Sequence, residues 1–394
     1  MKLLMILPSL ARGGAEEQSL TIARAAIRRG WEVHAALPNT TGTVSLISDF
    51  NSAGSICHPL TIADVPSRWP LIDELKRLLM TAVRLLMTKP DVAQIALPSP
   101  IAGAGSILAC ALLRIPTAVV FHSTPVRLSF GDKRLKAYGW ARRRAQQWVV
   151  VSEYSRKLIS QSFDVSPEEI LRIYNGAKTT DDNGERSTAR QRLCRELGLP
   201  EDARLILTVG RLHPDKGYRE LLHAIPHLLA EFPNAKFLWA GQGGDRDFLR
   251  QQIEMYGVAD AVRMLGHRAD ARQLMLAADL LAFPSHVESM SLVLLEAMAA
   301  GLPIVASQAG GTPELISDQI HGLLCHVGDS CDLLAKMRWA LNHTEQMQAM
   351  AESARARVRE FSEEKMIAET LALLEKLHTG VVGRGEKSSV LFPS

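Results

Sequence analysis

Short apolar runs alternate along the chain with longer segments in which apolar residues recur every three or four positions. The short runs predict β-strands, and the longer segments predict amphipathic helices. In the first half, strands are predicted at residues 3–7, 33–37, 92–97, 117–121 and 148–151. Helices are predicted at 15–29, 71–87 and 101–113, and Ser152, a good N-cap residue, begins another. Such alternation is typical of a parallel sheet with helices on both faces.

The pattern restarts after a polar, turn-rich stretch at residues 176–192, which is predicted to be a linker. Five more strands are predicted at residues 205–209, 237–240, 262–265, 280–283 and 304–306, with helices between them. We therefore expect two doubly wound, Rossmann-like α/β domains, at residues 1–185 and 186–362. A last helix at 363–379 is a candidate to pack back on the first domain, and 380–394 is expected to be a flexible tail.

The amino-acid composition excludes some classes of protein. Apolar residues make up 47% of the 394 positions and charged residues 22%, which is globular composition. The 45 basic and 42 acidic residues give a net charge of only +3, which argues against a nucleic-acid partner. Residues 1–184 hold 22 of the basic and 15 of the acidic residues, a net +7, so the rest carries −4. The two domains are therefore expected to have different partners.

Cysteine usage and hydropathy point to a cytoplasmic protein. The five cysteines are dispersed without a C-x-x-C pair, which is typical of reduced thiols, and no Cys/His spacing suits zinc. Pro8 interrupts the first apolar run, so a strand explains it better than a signal peptide does. The longest apolar stretch, residues 101–113, is too short for a bilayer that needs about 20 residues.

A basic stretch with aromatic residues lies between Lys133 and Arg144. It has two interpretations, contact with an anionic membrane surface at the inner face or a solvated helix face. Its basic residues are Lys133, Arg134, Lys136, Arg142, Arg143 and Arg144, and the aromatic residues beside them are Tyr138, Trp140 and Trp148.

Candidate chemistry lies on the loops that follow predicted strands, where open α/β sheets bind ligands. Gly13 and Gly14 follow the first strand and open a helix, an arrangement that suits an anion but is also an ordinary turn. Arg211 and Lys216 follow the first strand of the second domain, with Gly217 after them. A guanidinium, an ammonium and a helix N-terminus together suit a diphosphate, although both cations could also be solvated.

Glu288 and Glu296 stand eight residues apart, before and inside a predicted helix. Because Glu296 lies among leucines, it is expected to need a partner, either ribose hydroxyls or a salt bridge within the fold. Further glycine turns, at 241–244 and 310–311, are additional anion-binding candidates.

Three other kinds of site are not expected. Asp245 and Asp247 spell a D-x-D metal signature, but acids at a helix start also favour its dipole. Ser152, His122 and Asp164 have no recognisable triad order. A zinc or acid–base cluster is not expected from the histidines, which lie on separate loops: His213, His267, His286, His321 and His326.

The segments "VGRLHPDKG", "ESMSLVLLEAMAAGLPIVAS" and "GGTPELI", in this order, resemble the retaining glycosyltransferases of family 4. The similarity is specific between residues 205 and 329 and looser in the first half, through "GGAEEQSLTIARAAIRRGWEV", "VVFHS", "VSEYSRKLI" and "NGAK". It implies the GT-B fold, in which two Rossmann-like domains face each other across a cleft. The donor is then expected on the second domain and the acceptor on the first.

The resemblance implies a role for each matching residue. Arg211 and Lys216 match the pair that binds the donor diphosphate. Glu288 matches the glutamate on the donor sugar and Glu296 the glutamate on the ribose, while His122 matches a histidine near the sugar. The implied catalytic residues are thus His122, Arg211, Lys216 and Glu288. The other implied donor-binding residues are Gly13, Gly14, Gly210, Gly241, Gly243, His267, Ser289, Met290, Ser291, Leu292 and Glu296.

The family implies retaining, metal-independent transfer of a sugar from a nucleoside diphosphate donor, with a UDP-sugar expected, to a glycan or glycolipid hydroxyl. Cell-surface polysaccharide, lipopolysaccharide or glycolipid synthesis is the expected setting, and no separate cofactor is expected. Where many relatives have Gly-Phe-Gly, this chain has Ser289, Met290 and Ser291, so the close glycine approach is lost. Two alternatives are a sugar-nucleotide epimerase of the same fold and a non-catalytic sugar-nucleotide-binding adaptor.

Overall fold

The computed structural model describes residues 1–60, 70–124, 126–179 and 185–380. The chain divides into two compact units, the first formed by Met1–Asn175 with Glu364–Ser394 and the second by Gly176–Glu363. The sequence prediction placed the first boundary ten residues later, after residue 185. Residues 381–394, nearly all of the predicted tail, lie outside the described residues.

The described part of the first unit is built on a parallel sheet with the strand order β3-β2-β1-β4-β5-β6-β7. The chain order reverses between β1 and β4, as at the switch point of a doubly wound sheet. Its strands are β1 (Lys2–Ile6), β2 (Glu32–Leu37), β3 (Ile56–Pro59), β4 (Val92–Leu97), β5 (Thr117–Phe121), β6 (Gln146–Val150) and β7 (Ile170–Arg172).

Helices cover both faces of this sheet. They are α1 (Gly14–Arg28), α2 (Val44–Ser52), α3 (Pro70–Thr88), α4 (Ala104–Leu112), α5 (Asp132–Arg142) and α6 (Glu153–Phe163), and the α15 helix (Glu363–His378) joins them from the far end of the chain. The Ser152 hydroxyl caps α6 by accepting a hydrogen bond from the Ser155 N–H at 3.1 Å. Because right-handed crossovers that run in opposite directions place their helices on opposite faces, α3, α4 and α5 lie on the face opposite α1.

The core of the first unit is continuous from strands to helices. Trp148 is fully buried and packs edge-on against Phe121, and Tyr138 of α5 joins the same cluster. On the other face, α15 buries Leu371 and Leu374, and an ion pair of 2.8 Å between Glu375 and Arg29 links α15 to the end of α1. The C-terminal helix is therefore an integral part of the first unit.

The second unit has a parallel sheet with the strand order β10-β9-β8-β11-β12-β13. This order also reverses next to its first strand, between β8 and β11. Its strands are β8 (Arg204–Val209), β9 (Ala235–Ala240), β10 (Val262–Gly266), β11 (Leu280–Phe283), β12 (Ile304–Ser307) and β13 (Leu323–Cys325). Its helices are α7 (Glu185–Leu197), α8 (Tyr218–Glu231), α9 (Arg246–Met255), α10 (Ala271–Ala277), α11 (Leu292–Ala299), α12 (Thr312–Leu315), α13 (Ser330–Asn342) and α14 (Thr344–Arg357).

The stretch at residues 176–192, which was predicted to be a linker, contains the start of a helix and a β-bridge residue. Helix α7 begins inside it, and its Arg186 and Arg190 donate hydrogen bonds to backbone carbonyls of the second unit, including that of Gly301 at 3.0 Å. Ala177 pairs with Ser362 in an isolated parallel bridge. The polar composition of this stretch therefore reflects a helix that packs through arginine hydrogen bonds as well as through a few buried side chains, Ala189, Leu193 and Cys194.

In the part of the chain that the structure describes, no helix combines the length and apolarity needed to cross a bilayer.

Candidate functional site

The loop after β8 is held against the loop after β11. Residues Pro214–Lys216 form a 3₁₀ turn, and Gly217 follows with φ +70°, a left-handed conformation that caps α8. A Cβ at Gly217 would lie 2.0 Å from the Pro284 carbonyl oxygen, so only glycine fits there. The Asp215 carbonyl accepts a hydrogen bond of 2.7 Å from the His286 N–H, which fastens the two loops together.

An ion pair lies where these two loops meet. The Lys216 Nζ is 2.6 Å from the Glu288 Oε1 and 3.4 Å from the Ser285 hydroxyl. The Lys216 and Glu288 side chains are only 16% and 11% exposed. Because β8 and β11 flank the switch point of the sheet, the pair lies where open α/β sheets bind ligands. The structure thus joins two candidates that the sequence identified separately.

Arg211 lies at the surface of the same loop, with 67% of its side chain exposed. Its Nη2 is 3.4 Å from one carboxylate oxygen of Asp215, and the His213 Nδ1 is 2.6 Å from the other. Asp215 therefore positions both side chains, a role that the sequence analysis missed although the residue lies inside the "HPDK" motif. Arg211 is held at the surface by a single longer contact, whereas Lys216 is mostly buried and held by a short ion pair.

The glycine turn after β9 has a packing role. Gly241 has φ +157°, and a Cβ there would lie 1.8 Å from the Gly210 carbonyl oxygen. At Gly243, a Cβ would lie 2.1 Å from the Leu212 carbonyl oxygen. Both glycines let the loops after β8 and β9 approach each other, which explains them without an anion. His267 follows β10 and is exposed.

The segment after Glu288 is buried. Ser289, Met290 and Ser291 are each at most 6% exposed, and the Ser291 hydroxyl caps α11 by accepting a hydrogen bond from the Leu294 N–H at 3.3 Å. The Glu288 carbonyl accepts a hydrogen bond of 2.9 Å from the Gly311 N–H, which ties this segment to the second glycine turn. The backbone around Glu288 is therefore fixed from both sides.

Glu296 projects from the exposed side of α11, while Leu294 and Leu295 are fully buried. Although Glu296 is close to these leucines in sequence, the leucines and the carboxylate lie on different faces of the helix. Leu292, at the start of α11, is half-buried.

In the first unit, Gly13 is the N-cap of α1 and Gly14 is the first residue of that helix. Glu16 is 3% exposed, and its carboxylate accepts hydrogen bonds from the Ser9 hydroxyl and from the backbone N–H groups of Gly13 and Glu16 itself. Burial raises the pKa of Glu16, and these hydrogen bonds oppose the rise. The Gly13 N–H was expected to face an anion, but it donates to the Glu16 carboxylate, as in a capping box. The spacing of three residues between Gly13 and Glu16 could have indicated this arrangement.

His122 follows β5 and points into the first unit. It lines a cavity of about 30 Å³ between the sheet, α1 and α15, together with Gln18 and Gln94. The His122 Nε2, Gln18 Nε2 and Gln94 Oε1 atoms are buried and have no hydrogen-bond partner among the described residues. Burial lowers the pKa of His122 to about 4, so the ring is neutral at pH 7. The two glutamines were not identified from the sequence.

The basic stretch forms α5 and the turn that follows it. Arg142 is ion-paired with Glu169, and the Arg144 guanidinium lies over the Trp140 ring at 4.5 Å. Lys133 and Lys136 are exposed. Arg134 and Arg143 are exposed as well, so the accessible cations of this stretch are these two arginines and the two lysines.

Asp245 and Asp247 lie at the start of α9, as acids that favour its dipole. Over the residues described, no group of three or more His, Cys, Asp or Glu side chains is arranged to hold a metal ion.

Two family models match the chain, one in each half. The model of Glycosyltransferase Family 4 matches residues 12–181, and that of Glycosyl transferases group 1 matches residues 189–357. An uncharacterized glycosyltransferase of Methanocaldococcus jannaschii is 34% identical over 45% of this chain and 46% of its own length. N-acetyl-alpha-D-glucosaminyl L-malate synthase of Bacillus anthracis is 29% identical over 65% of this chain and 66% of its own length. The chain thus spans less than two thirds of these curated relatives.

Solved structures match this chain over a larger share of its length than these curated relatives do. HepE of Anabaena in complex with UDP-glucose superimposes with a TM-score of 0.78 at 26% identity, over 94% of this chain and 99% of the other. The two parallel-sheet α/β units and this likeness confirm the GT-B fold expected from the sequence. With a glycosyltransferase family model matched in each half, the resemblance to the group 1 glycosyltransferases is confirmed.

Proposed function

We propose that the protein is a retaining, metal-independent glycosyltransferase that moves a sugar from a nucleoside diphosphate donor to a hydroxyl of a glycan or glycolipid. The observation that carries the proposal is the ion pair between Lys216 and Glu288 at the switch point of the second sheet. It supplies a fixed cation for the diphosphate and a fixed carboxylate for sugar hydroxyls. Likeness to a protein solved with UDP-glucose supports a UDP-sugar as the donor.

The transfer breaks the bond between the anomeric carbon and the diphosphate oxygen, and the electron pair leaves with the diphosphate. A new bond forms from the acceptor oxygen to the anomeric carbon, and the acceptor proton passes to a phosphate oxygen. Negative charge grows on the leaving group, so Lys216 and Arg211 stabilise the transition state more than the ground state. These two side chains replace the metal ion that other diphosphate sites use.

We propose retention from the family resemblance, and the position of Glu288 favours same-face attack over a covalent intermediate. The Glu288 carboxylate is held by Lys216 at 2.6 Å and is therefore a poor nucleophile toward the anomeric carbon. The acceptor then attacks from the face that the diphosphate leaves, in a loose transition state. Glu296, exposed on α11, is proposed to bind the ribose hydroxyls.

The acceptor is proposed to bind the first unit, which carries the basic excess. An anionic glycolipid at the inner face of the membrane fits that charge and the exposed Lys133 and Lys136. The setting would be synthesis of cell-surface polysaccharide, lipopolysaccharide or glycolipid by a cytoplasmic enzyme.

Nucleotide sugars should be screened for protection against thermal unfolding. A donor at 100 times its Kd adds about 2.7 kcal/mol, or roughly 5–10 °C for a unit of this size. The donor found should then be incubated with glycolipid acceptors, and the anomeric configuration of the product read by NMR. An inverted product would refute retention. Release of a changed sugar nucleotide without an acceptor would show an epimerase, and binding without turnover an adaptor.

A further inference from the structure

Helix α3 presents an apolar face to solvent. Eight of its side chains between residues 72 and 88 are exposed, and seven of these are large and apolar. They range from 37% to 70% exposed and are Ile72, Leu75, Leu79, Met80, Val83, Leu86 and Met87. The spacing of three and four residues places them along one side of the helix over about 22 Å. We call these seven side chains the apolar face of α3.

The opposite side of α3 also packs against protein, partly through polar groups. The buried Thr81 hydroxyl lies 2.9 Å from the Ser106 hydroxyl of α4, and the Glu74 carboxylate accepts a hydrogen bond of 2.8 Å from the Gly105 N–H. Leu85 is buried beside them. A surface helix normally turns its apolar side inward and its polar side to water. With apolar side chains outward as well, α3 has the pattern of a helix that is covered on both sides.

The charges around the apolar face are positive. The eighth exposed side chain of α3 is Lys76, and the exposed Lys89 follows the helix. Asp73 is buried, and Glu74 is half-buried and ion-paired with Arg77 at 2.8 Å, so the exposed part of residues 72–88 carries no carboxylate. A covering surface should therefore be apolar with negative charge at its edge.

Helix α5 extends this positive charge. It lies in the same layer as α3, because α4 packs between them and the Arg134 guanidinium donates to the Ile101 carbonyl just before α4 at 3.4 Å. The exposed Lys133 and Lys136 therefore belong to the same helix layer as the apolar face.

We propose that the apolar face of α3 inserts into the headgroup–acyl boundary of an anionic bilayer, with the helix parallel to the surface. An amphipathic helix binds this way when its cations reach the lipid headgroups, and Lys76, which lies among the apolar side chains, can do so by extending its ammonium group. A second copy of the chain would present the same cations and no exposed carboxylate from this helix, so charge complementarity favours anionic lipid as the occupant. The inference adds apolar insertion to the electrostatic contact of α5, and it does not rest on the transfer reaction.

Flotation of the full-length protein with vesicles tests the proposal without donor or acceptor. Vesicles of phosphatidylcholine with phosphatidylglycerol are compared with phosphatidylcholine alone. Leu79→Gln with Val83→Gln should weaken binding to the anionic vesicles at least about tenfold, because two buried aliphatic side chains are lost. The matched control is Met255→Gln with Ile320→Gln, which replaces two equally exposed apolar side chains of the second unit and should bind like the parent.

Raising the salt concentration distinguishes insertion of apolar side chains from electrostatic attraction to the membrane. In about 0.5 M NaCl the contact of Lys133 and Lys136 is largely screened, whereas the part of the binding that depends on Leu79 and Val83 should persist. A Leu79→Trp variant gives a readout that does not depend on the double variant folding, because its added fluorescence should shift to the blue and be quenched by brominated lipid. Equal binding of parent and double variant, no binding by the parent, or a parent dimer that the double substitution dissociates would each overturn the proposal.

Discussion

Replacing Lys216 by methionine isolates the charge of the Lys216–Glu288 pair. Methionine keeps most of the apolar stem and removes the ammonium group. It leaves the Glu288 carboxylate, which is only 11% exposed, without its partner at 2.6 Å. Loss of a charged partner at a mostly buried site costs on the order of 1–3 kcal/mol of unfolding free energy. Loss of one charge-stabilising donor to the leaving diphosphate should lower turnover by about 10²–10³-fold.

The double variant Lys216→Met with Glu288→Gln separates the two effects. Removing both charges should restore much of the stability, measured by urea unfolding, while UDP binding by calorimetry and turnover stay low. Lys336→Met is the matched control, because Lys336 is ion-paired with Asp318 at 3.8 Å in the same unit and is 26% exposed. If Lys216→Met binds UDP and turns over like the parent, Lys216 has no part in the donor site.

Three further outcomes are expected. Burial lowers the pKa of His122 from 6.5 to about 4, so its stabilising effect is complete above pH 6.5 and is lost as the pH falls toward 4. Between pH 6.5 and pH 4, the unfolding free energy of the parent should therefore fall by about 1–3 kcal/mol more than that of His122→Gln. Urea titrations at several pH values measure this difference. Gly241→Ala should cost at least about 2 kcal/mol, because its Cβ would lie 1.8 Å from the Gly210 carbonyl oxygen, whereas Gly244→Ala, with nothing within 4 Å, should change stability by about 0.5 kcal/mol or less. EDTA should leave the transfer rate unchanged, and a strict requirement for Mg²⁺ or Mn²⁺ would contradict the metal-independent mechanism.

The periodicity of the sequence predicted most strands of both sheets, because a buried parallel strand is typically a continuous apolar run. It missed the short edge strands β3, β7 and β13. It did not predict α7, whose sequence is mostly polar and packs through arginine hydrogen bonds. It also did not predict the orientation of α3. A repeat of three and four residues locates an apolar stripe but does not say whether sheet or solvent faces it, and α3 has apolar residues on both sides.

The sequence identified the separate residues of the site but not the contacts between them. Lys216 and Glu288 are 72 residues apart, and only the strand order that places β8 beside β11 brings them together. Glu296 was correctly placed inside a helix, but its exposure was not predicted, because the composition around the residue was considered and not its helical phase. The cavity beside His122 depends on α15, which is distant in sequence from β5, so no local motif could show it.

The return of α15 to the first unit makes that unit discontinuous along the chain. During synthesis, residues 1–175 leave the ribosome long before Leu371 and Leu374, the side chains that cover one face of their sheet. The nascent first unit therefore exposes an apolar surface while the second unit, whose residues are contiguous, can already fold. Chaperone dependence during translation should accordingly concentrate on the N-terminal half, and expression of residues 1–175 alone should yield an aggregation-prone fragment, whereas residues 176–363 form a complete core without it.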